Sequence, residues 1–289
     1  MRLNFLAIRG LQFHQVQFGW GEAWCFAAIQ RSFDRKPKWI WGVQLETSTG
    51  VLNDTEALLR LAGAKKCAVA LDCVSCVGAV PIATNVGPLL MASGVSGKSL
   101  GAYAGLGFVF MTDECRYRLS GKILCPSFDL LCMHQTRGPL STVLSSSVFA
   151  LARALEDKYA SPEAIARRFQ EYLFLGEQTR RIMREIGLEP LAPDFVAAPN
   201  IATFALPTPS FPETCLAAGY QIAHESRYLR LRGWGQIAWM GNVTSASLEG
   251  LFQRLRSTAE LRPPTYMLNV AEVPTNLIAP RPYPAGSCD

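Results

Sequence analysis

One lysine stands alone among small residues, and its side chain is well placed for covalent chemistry. Lys98 lies in SGVSGKSLGAYAGLGFVF, residues 93–110, with glycine, serine and alanine on both sides. The apolar run before this stretch and the one that ends it predict two buried strands. The glycines allow unusual backbone angles and the close approach of a ligand. The sequence therefore predicts an amine held on a tight turn at the rim of a sheet.

Three interpretations of Lys98 compete. The ending Gly97–Ser99 matches that of a phosphate-binding P-loop, but Ala92 stands where that motif requires its first glycine, and the glycine-rich segment that follows is a poor helix former. A second interpretation is a lysine that forms a Schiff base with a carbonyl cofactor, on a rigid turn beside a phosphate-sized cavity. The third is a solvated loop lysine. This stretch alone does not decide between the last two.

A carboxylate at the end of an apolar strand is the second candidate for chemistry. Asp72 follows CAVAL (67–71), and the apolar segments on both sides of it contain no cation. Burying a carboxylate without a cation is costly, so the sequence favours a cation from outside, although a turn or helix cap would also explain this aspartate. A protonated pyridine nitrogen would suit it, because a carboxylate keeps such a ring charged and able to absorb the electrons of a carbanion.

The elements around these residues predict an α/β fold, a mostly parallel sheet flanked by helices. WIWGVQL (39–45) has the pattern of a buried strand and ends in the hydroxyl-rich turn ETSTG (46–50). Asp54 then caps a predicted helix, and the strands before Asp72 and Lys98 follow. The order strand, helix, strand indicates parallel strands, whose ligands bind outside the carboxyl ends. We therefore expect the three polar turns to meet at one edge of the sheet.

The second half of the chain predicts a smaller α+β part. Residues 140–155 have a helical pattern, and Ser161 with Pro162 begins a long amphipathic helix that ends at Gly187. YLRLRGW (228–234) and QIAWM (236–240) have the pattern of strands.

The length and the apolar content set the domain organisation. With 289 residues, 49% of them hydrophobic, the chain is large enough for one large or two ordinary domains. The predicted division is a cofactor-binding large domain over 1–155, a small α+β domain over 156–260 and an extended proline-rich tail over 261–289.

Charge, cysteine content and apolar runs exclude several classes of protein. A net charge of +5 without basic runs makes a nucleic-acid partner a poor fit. The first residues are too short an apolar run for a signal peptide, and the apolar region 67–92 carries Asp72 and two prolines, so no membrane segment is predicted. Nine cysteines, an odd number, indicate free thiols and a cytoplasmic location. The pair Cys73 and Cys76 is interpreted as buried thiols, because no second ligand pair completes a metal site.

Four motifs together resemble the class V aminotransferases, pyridoxal-phosphate enzymes of fold type I that include serine–pyruvate, alanine–glyoxylate and 2-aminoethylphosphonate transaminases. They are ETSTG at 46–50, LDCVSCVGAVPI at 71–82, SGVSGKSLGAYAGLGFV at 93–109 and YLRLRGWGQIAWMG at 228–241. Their order and spacing agree over most of residues 38–256. The resemblance implies an enzyme that uses pyridoxal phosphate to move an amino group between a small amino acid and a 2-oxo acid such as pyruvate or glyoxylate.

The resemblance also implies roles for individual residues. Lys98 would form the Schiff base with the cofactor and then carry the proton between substrate and cofactor carbons. Asp72 would pair with the pyridine nitrogen, Thr47 would hydrogen-bond the ring, Val74 would pack on one ring face, and Ser96 would lie near the phosphate.

The family is also homodimeric, with sites at the subunit interface. Thr142 matches a position that reaches the phosphate of the neighbouring subunit. The resemblance therefore implies a homodimer, while the charge and apolar patterns described above predict neither nucleic acid nor membrane as partner.

The chain departs from the family pattern in several places. It begins where a family member is already several dozen residues along, so the glycine-rich turn that grips the phosphate is expected to be absent. Arg9 stands where the family has an aromatic that stacks on the cofactor, and Gly97 replaces a polar residue. Gln236 replaces the arginine that binds the substrate carboxylate. Arg232 or Arg230 could take over this role, or both could be exposed arginines paired with solvent.

These departures leave hypotheses of two classes. One is an active aminotransferase, which Lys98 and Asp72 favour. The other is a shortened, catalytically impaired relative with a binding or structural role, which the missing phosphate grip favours. A start site assigned too late would reconcile the two. A cysteine desulfurase would need a cysteine in a glycine-rich loop, and none of the nine cysteines lies in one.

Overall fold

The computed structural model describes residues 12–118 and 128–256. The strands are β1 (Trp39–Val43), β2 (Leu45–Glu46), β3 (Val51–Leu52), β4 (Ala68–Asp72), β5 (Leu89–Val95), β6 (Gly107–Met111), β7 (Ile201–Ala205) and β8 (Trp234–Ala238). The helices are α1 (Phe26–Ser32), α2 (Thr55–Ala64), α3 (Asp113–Arg118), α4 (Leu130–Gln135), α5 (Ser145–Lys158), α6 (Pro162–Glu185), α7 (Phe211–Ala217), α8 (Arg227–Arg232) and α9 (Ser245–Arg256). Short 3₁₀ helices cover Phe33–Arg35 and Asp194–Val196.

The main sheet has four strands in the order β1-β4-β5-β6. β4 pairs in parallel with both β1 and β5, and β6 runs antiparallel to β5. Small antiparallel pairs are formed by β2 with β3 and by β7 with β8. The prediction of a mostly parallel sheet flanked by helices, followed by a smaller α+β part, is confirmed.

The predicted helix starts are confirmed at their caps. The Asp54 carboxylate accepts a hydrogen bond from the Ala57 N–H at 2.8 Å, and the Ser161 hydroxyl accepts one from the Ala164 N–H at 3.2 Å, with Pro162 at the first helical position of α6. Both caps satisfy an N–H group that has no partner within its helix.

Two predictions about strands are wrong. The strand from Trp39 is not buried, because β1 lies at the edge of the sheet and leaves Trp39 47% and Trp41 49% exposed. Residues 228–234 are not a strand. Helix α8 occupies most of that stretch and ends at Gly233, whose φ of 63° is left-handed, so that β8 begins only at Trp234.

Two large apolar cores and a small third cluster at Ala68, Leu90 and Cys115 hold the described elements together. One lies between the sheet and α2, and includes Leu58, Leu59 and Leu71. The other joins α6, β7, β8 and α9 around Trp239 and Phe204, both fully buried. The division at residues 155 and 260 stays a prediction, while Arg9 and the tail 261–289 lie outside the described residues. None of the helices in the described ranges combines the length and the apolar character that crossing a bilayer requires.

Candidate active site

The polar turns come together at the carboxyl edge of the sheet. In the register, Val43 of β1 pairs with Asp72 of β4, and Asp72 pairs with Ser93 of β5. Thr47 follows β1 and β2, and Lys98 follows β5 by three residues. Because these three strands are parallel, the turns that carry Thr47, Asp72 and Lys98 leave the sheet on the same side, as the sequence predicts.

Asp72 is a buried carboxylate, 4% exposed. Its Oδ1 accepts a hydrogen bond from the Val74 N–H at 3.0 Å and a long one from the Ser93 hydroxyl at 3.5 Å. The carboxylate thus caps its own turn, which is the alternative that the sequence left open. This cap orients Oδ1 and leaves Val74 half-buried in the same turn.

Lys98 is half-buried on a turn, and the residue that follows it, Ser99, is held by several hydrogen bonds. Ser99 is fully buried, and its carbonyl accepts a hydrogen bond from the Tyr172 hydroxyl at 2.7 Å and lies 3.2 Å from the Tyr159 hydroxyl. The Ser99 hydroxyl oxygen accepts a hydrogen bond from the Asn200 side-chain amide at 2.7 Å. The backbone that carries the amine is therefore anchored from α6, from the residue after α5 and from the residue before β7.

Gly97 has a steric reason to be glycine. A Cβ at this position would lie 2.7 Å from both the Cα and the Cβ of Ala104, closer than side chains pack. The loop that follows Lys98 folds back over this position, so the polar residue that the family has before the lysine does not fit here.

Thr47 and Ser75 join two of the turns. Their hydroxyls form a short hydrogen bond with each other, in which either can donate. The Asn200 side-chain amide, besides its bond to Ser99, donates to the Ser75 carbonyl at 2.8 Å. A chain of hydrogen bonds therefore runs from the Thr47 turn through the Asp72 turn to the Lys98 turn.

Gln236 is buried and its amide is fully used by the protein. Its Nε2 donates to the Thr47 carbonyl at 2.6 Å and to the Thr203 hydroxyl at 2.7 Å, and its Oε1 accepts from the Tyr228 hydroxyl at 3.1 Å. At 5% exposure it fixes the Thr47 turn and offers no cation to a ligand.

Ser96 has partners within its own loop. Its buried hydroxyl donates to the Tyr103 carbonyl at 2.6 Å and accepts from the Leu106 N–H at 3.3 Å. This closes the loop that runs from Lys98 to β6. Its contact with a phosphate stays a prediction.

The last two predicted residues lie on other parts of the surface. Thr142 is exposed, in the loop before α5, and its reach toward a partner subunit stays a prediction. Arg232 ends α8, and its guanidinium stacks over the Trp20 ring at 4.0 Å and near the Trp234 ring at 5.4 Å. The structure therefore holds Arg232 by aromatic contacts, while Arg230 is exposed. A role for either in substrate binding stays a prediction.

The thiols of the C-x-x-C pair are structural, as predicted. Cys73 and Cys76 are both free and fully buried, and the Cys76 Sγ donates to the Gln44 side-chain oxygen at 3.1 Å. The contact with Cys73 and burial raise the pKa of the Cys76 thiol well above its ordinary value. Within residues 12–118 and 128–256, no group of three or more His, Cys, Asp or Glu side chains has the arrangement of a metal site.

Two cavities lie elsewhere on the molecule. One of about 210 Å³ is lined by residues that include Ile82, Met91 and Phe110, and another of about 420 Å³ by residues that include Trp24 and Phe195. Neither is lined by a residue of the three turns.

The sequence did not reveal the residues that hold the Lys98 turn. Asn200, Tyr172 and Tyr159 lie 60 residues or more along the chain from their partner Ser99, and only their polarity within otherwise apolar surroundings distinguishes them. Asn200, directly before an apolar strand, is the one that its position could have flagged, because a buried amide needs partners.

 The separations from Ser99 along the chain are 101 residues for Asn200, 73 for Tyr172 and 60 for Tyr159, so no local pattern links these residues to the lysine turn.

Comparison with known proteins gives consistent matches among aminotransferases. The chain is 28% identical over 210 residues to a 2-aminoethylphosphonate–pyruvate transaminase of Burkholderia ambifaria, a match that covers 71% of this chain and 56% of the relative. It is 30% identical over 212 residues to the transaminase of the same name from Vibrio cholerae, covering 71% of this chain and 54% of the relative. The chain thus spans about half the length of the curated relatives it matches. No protein-family model matches it.

Solved structures give the fold. An alanine–glyoxylate aminotransferase from Nostoc sp. superposes with a TM-score of 0.77 at 21% sequence identity, over 90% of this chain and 72% of that structure. At this identity the likeness concerns the fold, which agrees with the sheet and the α+β part described above.

Proposed function

The chain is related to the class V aminotransferases and has their fold, and on this basis we propose that it binds pyridoxal phosphate and moves an amino group between a small amino acid and a 2-oxo acid. The observation that carries the proposal is the hydrogen-bonded meeting of the Thr47, Asp72 and Lys98 turns at one edge of the sheet. Every relative named above is a transaminase, which favours the active form over a binding or structural role.

The residues at this edge fit the cofactor. A flat, charged heteroaromatic ring needs an acid for its nitrogen, a hydroxyl for its ring oxygen, an apolar contact for one face and an amine for its carbonyl. Asp72 supplies a buried and oriented carboxylate, Thr47 a hydroxyl, Val74 a half-buried apolar side chain and Lys98 a half-buried amine. For the phosphate we propose Ser96 and Thr142, of which Ser96 is the weaker because its hydroxyl has partners in its own loop.

Each of these residues then has a defined task. When bound, pyridoxal phosphate supplies a carbonyl that condenses with amines and a ring that withdraws electrons from bonds at the amino-bearing carbon. The Lys98 Nζ would bind that carbonyl between turnovers and would accept and return the proton at the substrate carbon. Asp72 would hold a proton at the ring nitrogen, and Thr47, fixed by Ser75 and Gln236, would orient the ring.

The substrates belong to the same proposal. The names of the relatives and of the matched structure point to pyruvate or glyoxylate as acceptor and to a small amine as donor. With a neutral amide at Gln236, we assign carboxylate binding to Arg232, whose guanidinium is held in place by Trp20. We also propose a cytoplasmic location, which free thiols at seven described positions support.

A homodimer is the proposed assembly. Large apolar side chains are exposed around the start of α5, with Leu144 67% and Phe149 80% exposed, and Tyr103 in the Lys98 loop is 68% exposed. The Ser147 hydroxyl, which donates to the Ala104 carbonyl at 3.5 Å, joins these two segments. An apolar surface next to the site fits a second copy of this chain better than water.

The test is to add pyridoxal phosphate to the purified protein, reduce with borohydride and locate the label by mass spectrometry. We expect a visible absorbance band and a label on Lys98, both lost in Lys98→Ala and kept in Lys65→Ala, a control at an exposed lysine. Label on other lysines, or none at all, would show that the proposal is wrong.

The donor can be tested in the same preparation. Alanine, serine, glycine and 2-aminoethylphosphonate are added singly, and a donor is expected to remove the visible band without any acceptor present. Arg232→Ala should weaken the response to carboxylate donors, whereas Arg230→Ala, at an exposed position two residues away, should not.

A further inference from the structure

Asn200 is a buried polar side chain that lies between the turn of Asp72 and the turn of Lys98. It is fully buried, and its Nδ2 donates one hydrogen to the Ser75 carbonyl at 2.8 Å and the other to the Ser99 hydroxyl at 2.7 Å. Ser75 lies three residues after Asp72, and Ser99 directly follows Lys98. One amide nitrogen therefore ties the turn of the carboxylate to the turn of the amine.

Asn200 is itself held firmly by its own neighbourhood. Its carbonyl accepts a hydrogen bond from the Trp239 N–H at 3.1 Å, and the Trp239 indole N–H donates to the Pro199 carbonyl. The Ala198 carbonyl accepts from the buried Arg180 guanidinium at 3.0 Å. Because three consecutive carbonyls are fixed, the amide has a rigid base from which to hold both turns.

The amide is not there merely to fill space. Its Oδ1 is buried and finds no hydrogen-bond partner among the described residues. A buried amide oxygen without a partner lowers stability, so a side chain needed only for packing would be better apolar. The two N–H groups are what the position gains from asparagine.

We propose that Asn200 is a positioning residue that sets the distance between the Lys98 amine and the Asp72 carboxylate. It touches neither group and acts through Ser99 and Ser75. This inference deepens the proposed function. The effect of Asn200 on catalysis rests on the proposed function, whereas its effect on the position of the Lys98 amine does not.

The first test uses the protein without cofactor. Lysines are acetylated briefly with acetic anhydride, and the extent at Lys98 is compared with that at Lys65 in the parent, Asn200→Ala and Ser99→Ala proteins. We expect a several-fold change at Lys98 in both variants and none at Lys65. Asn53→Ala is the matched control, because Asn53 is a buried amide that also has a buried oxygen without a described partner, and its Nδ2 donates instead to the Val43 carbonyl.

The second test uses the protein loaded with pyridoxal phosphate. For a displaced amine we expect kcat to fall on the order of tenfold to a hundredfold with KM little changed in Asn200→Ala. The double variant with Ser99→Ala should lose little more than Asn200→Ala alone, because both changes remove the same bond.

The outcomes separate the two proposals. If Asn200→Ala lowers the melting temperature but leaves Lys98 acetylation and kcat as they are in Asn53→Ala, the residue is structural only and the inference is overturned. If Asn200→Ala does not fold, Ser99→Ala alone decides, since it deletes one hydroxyl. If the parent protein takes up no cofactor, the proposed function fails, while the acetylation comparison still decides the role of Asn200.

Discussion

At the scale of single residues, the site depends on side chains that are neither the acid nor the amine. Ser99 receives hydrogen bonds at its carbonyl and its hydroxyl, and Gln236 donates to the turn that carries Thr47. Both residues are almost completely buried, so their partners cannot be replaced by water. The positions of the turns at the sheet edge are thus set by buried residues that lie behind the groups proposed to contact a ligand.

Gln236 illustrates how a change in residue type changes the role of a position. An arginine there would bring a cation to the site, whereas the glutamine amide is consumed by Thr47, Thr203 and Tyr228. The position has become part of the scaffold. Under the proposed function, a substrate carboxylate would then need another cation, and Arg232 is the residue assigned to it.

Tyr159 gives a prediction about pH. Burial, followed by the neighbouring Tyr172, raises the pKa of the Tyr159 hydroxyl to about 12 from 10.0. The unfolded chain therefore loses this proton first, so the stability that Tyr159 contributes is complete below about pH 10 and is lost as the pH rises toward about 12. We expect Tyr159→Phe to be less stable than the parent protein at neutral pH, because the variant lacks the hydroxyl bonds to Gly78 and Ser99. Between about pH 10 and about pH 12 the variant should lose less stability than the parent protein does.

Urea unfolding from neutral pH to the alkaline range measures both effects. Tyr117→Phe is the control, since Tyr117 is 84% exposed, and its unfolding curve should follow that of the parent protein. Equal alkaline losses in the parent and in Tyr159→Phe would contradict the assignment.

At the scale of elements, two helical glycines should respond in opposite ways to alanine. In α6, a Cβ on the buried Gly176 would lie 2.8 Å from the Pro199 carbonyl oxygen, so the helix would have to move away from Asn200. In α2, a Cβ on the exposed Gly63 would meet only Pro88, at an ordinary 3.5 Å, with Gly87 slightly farther away. We expect Gly176→Ala to lower the free energy of unfolding by about 1–3 kcal/mol and Gly63→Ala to raise it by about 0.5–1 kcal/mol.

Thermal or urea unfolding of the two single variants checks this pair. Because alanine has a higher helix propensity than glycine in both helices, a loss of stability in Gly176→Ala alone would indicate the close contacts of α6 at this position, with Pro199 foremost. A stabilised Gly176→Ala would mean that α6 does not press on Pro199.

The elements that sequence could predict are those with local signals. Asp54 and Ser161 are helix caps that predict where their helices begin. The apolar runs before Asp72 and Lys98 predict strands β4 and β5, and hence the sheet edge at which their turns meet. Residues 228–234 have the alternation of apolar and charged side chains that is typical of a strand. In the structure they form most of helix α8, which buries only Leu229 and ends at Gly233. The exposure of Trp39 could not be read from its own strand, since it depends on which strand lies at the edge of the sheet.

The candidate site divides in the same way. Lys98, Asp72 and Thr47 are predictable from the sequence because each follows a strand, and the turns that carry them do meet. Asn200 was missed because its partners come from distant parts of the chain and no short motif encodes such a bond. Long-range polar contacts need the packed structure before they can be seen.

At the scale of the whole molecule, the proposed homodimer predicts the effect of a charge on its apolar surface. Phe149 is 80% exposed near the start of α5, beside the loop of Lys98. A glutamate there would place a charge where a second copy is to pack, at a cost that exceeds the worth of most single contacts. We expect Phe149→Glu to be monomeric, whereas Phe195→Glu, at a residue 83% exposed outside this surface, stays dimeric.

Sedimentation velocity over a range of concentrations measures the two species. A parent protein that is monomeric throughout, or a Phe149→Glu protein that remains dimeric, would show that this surface does not join two copies.

The bonds at Ser99 also bear on how the chain reaches its native state. Its partners lie 60, 73 and 101 residues further along, so the lysine turn closes long loops and cannot take shape until α6 and the segment before β7 have docked. We therefore expect the Lys98 turn to become ordered late in folding, after the strands of the main sheet have paired. A nascent chain that has emerged only as far as β6 has all four strands of the main sheet but lacks the residues that hold the Lys98 turn in place.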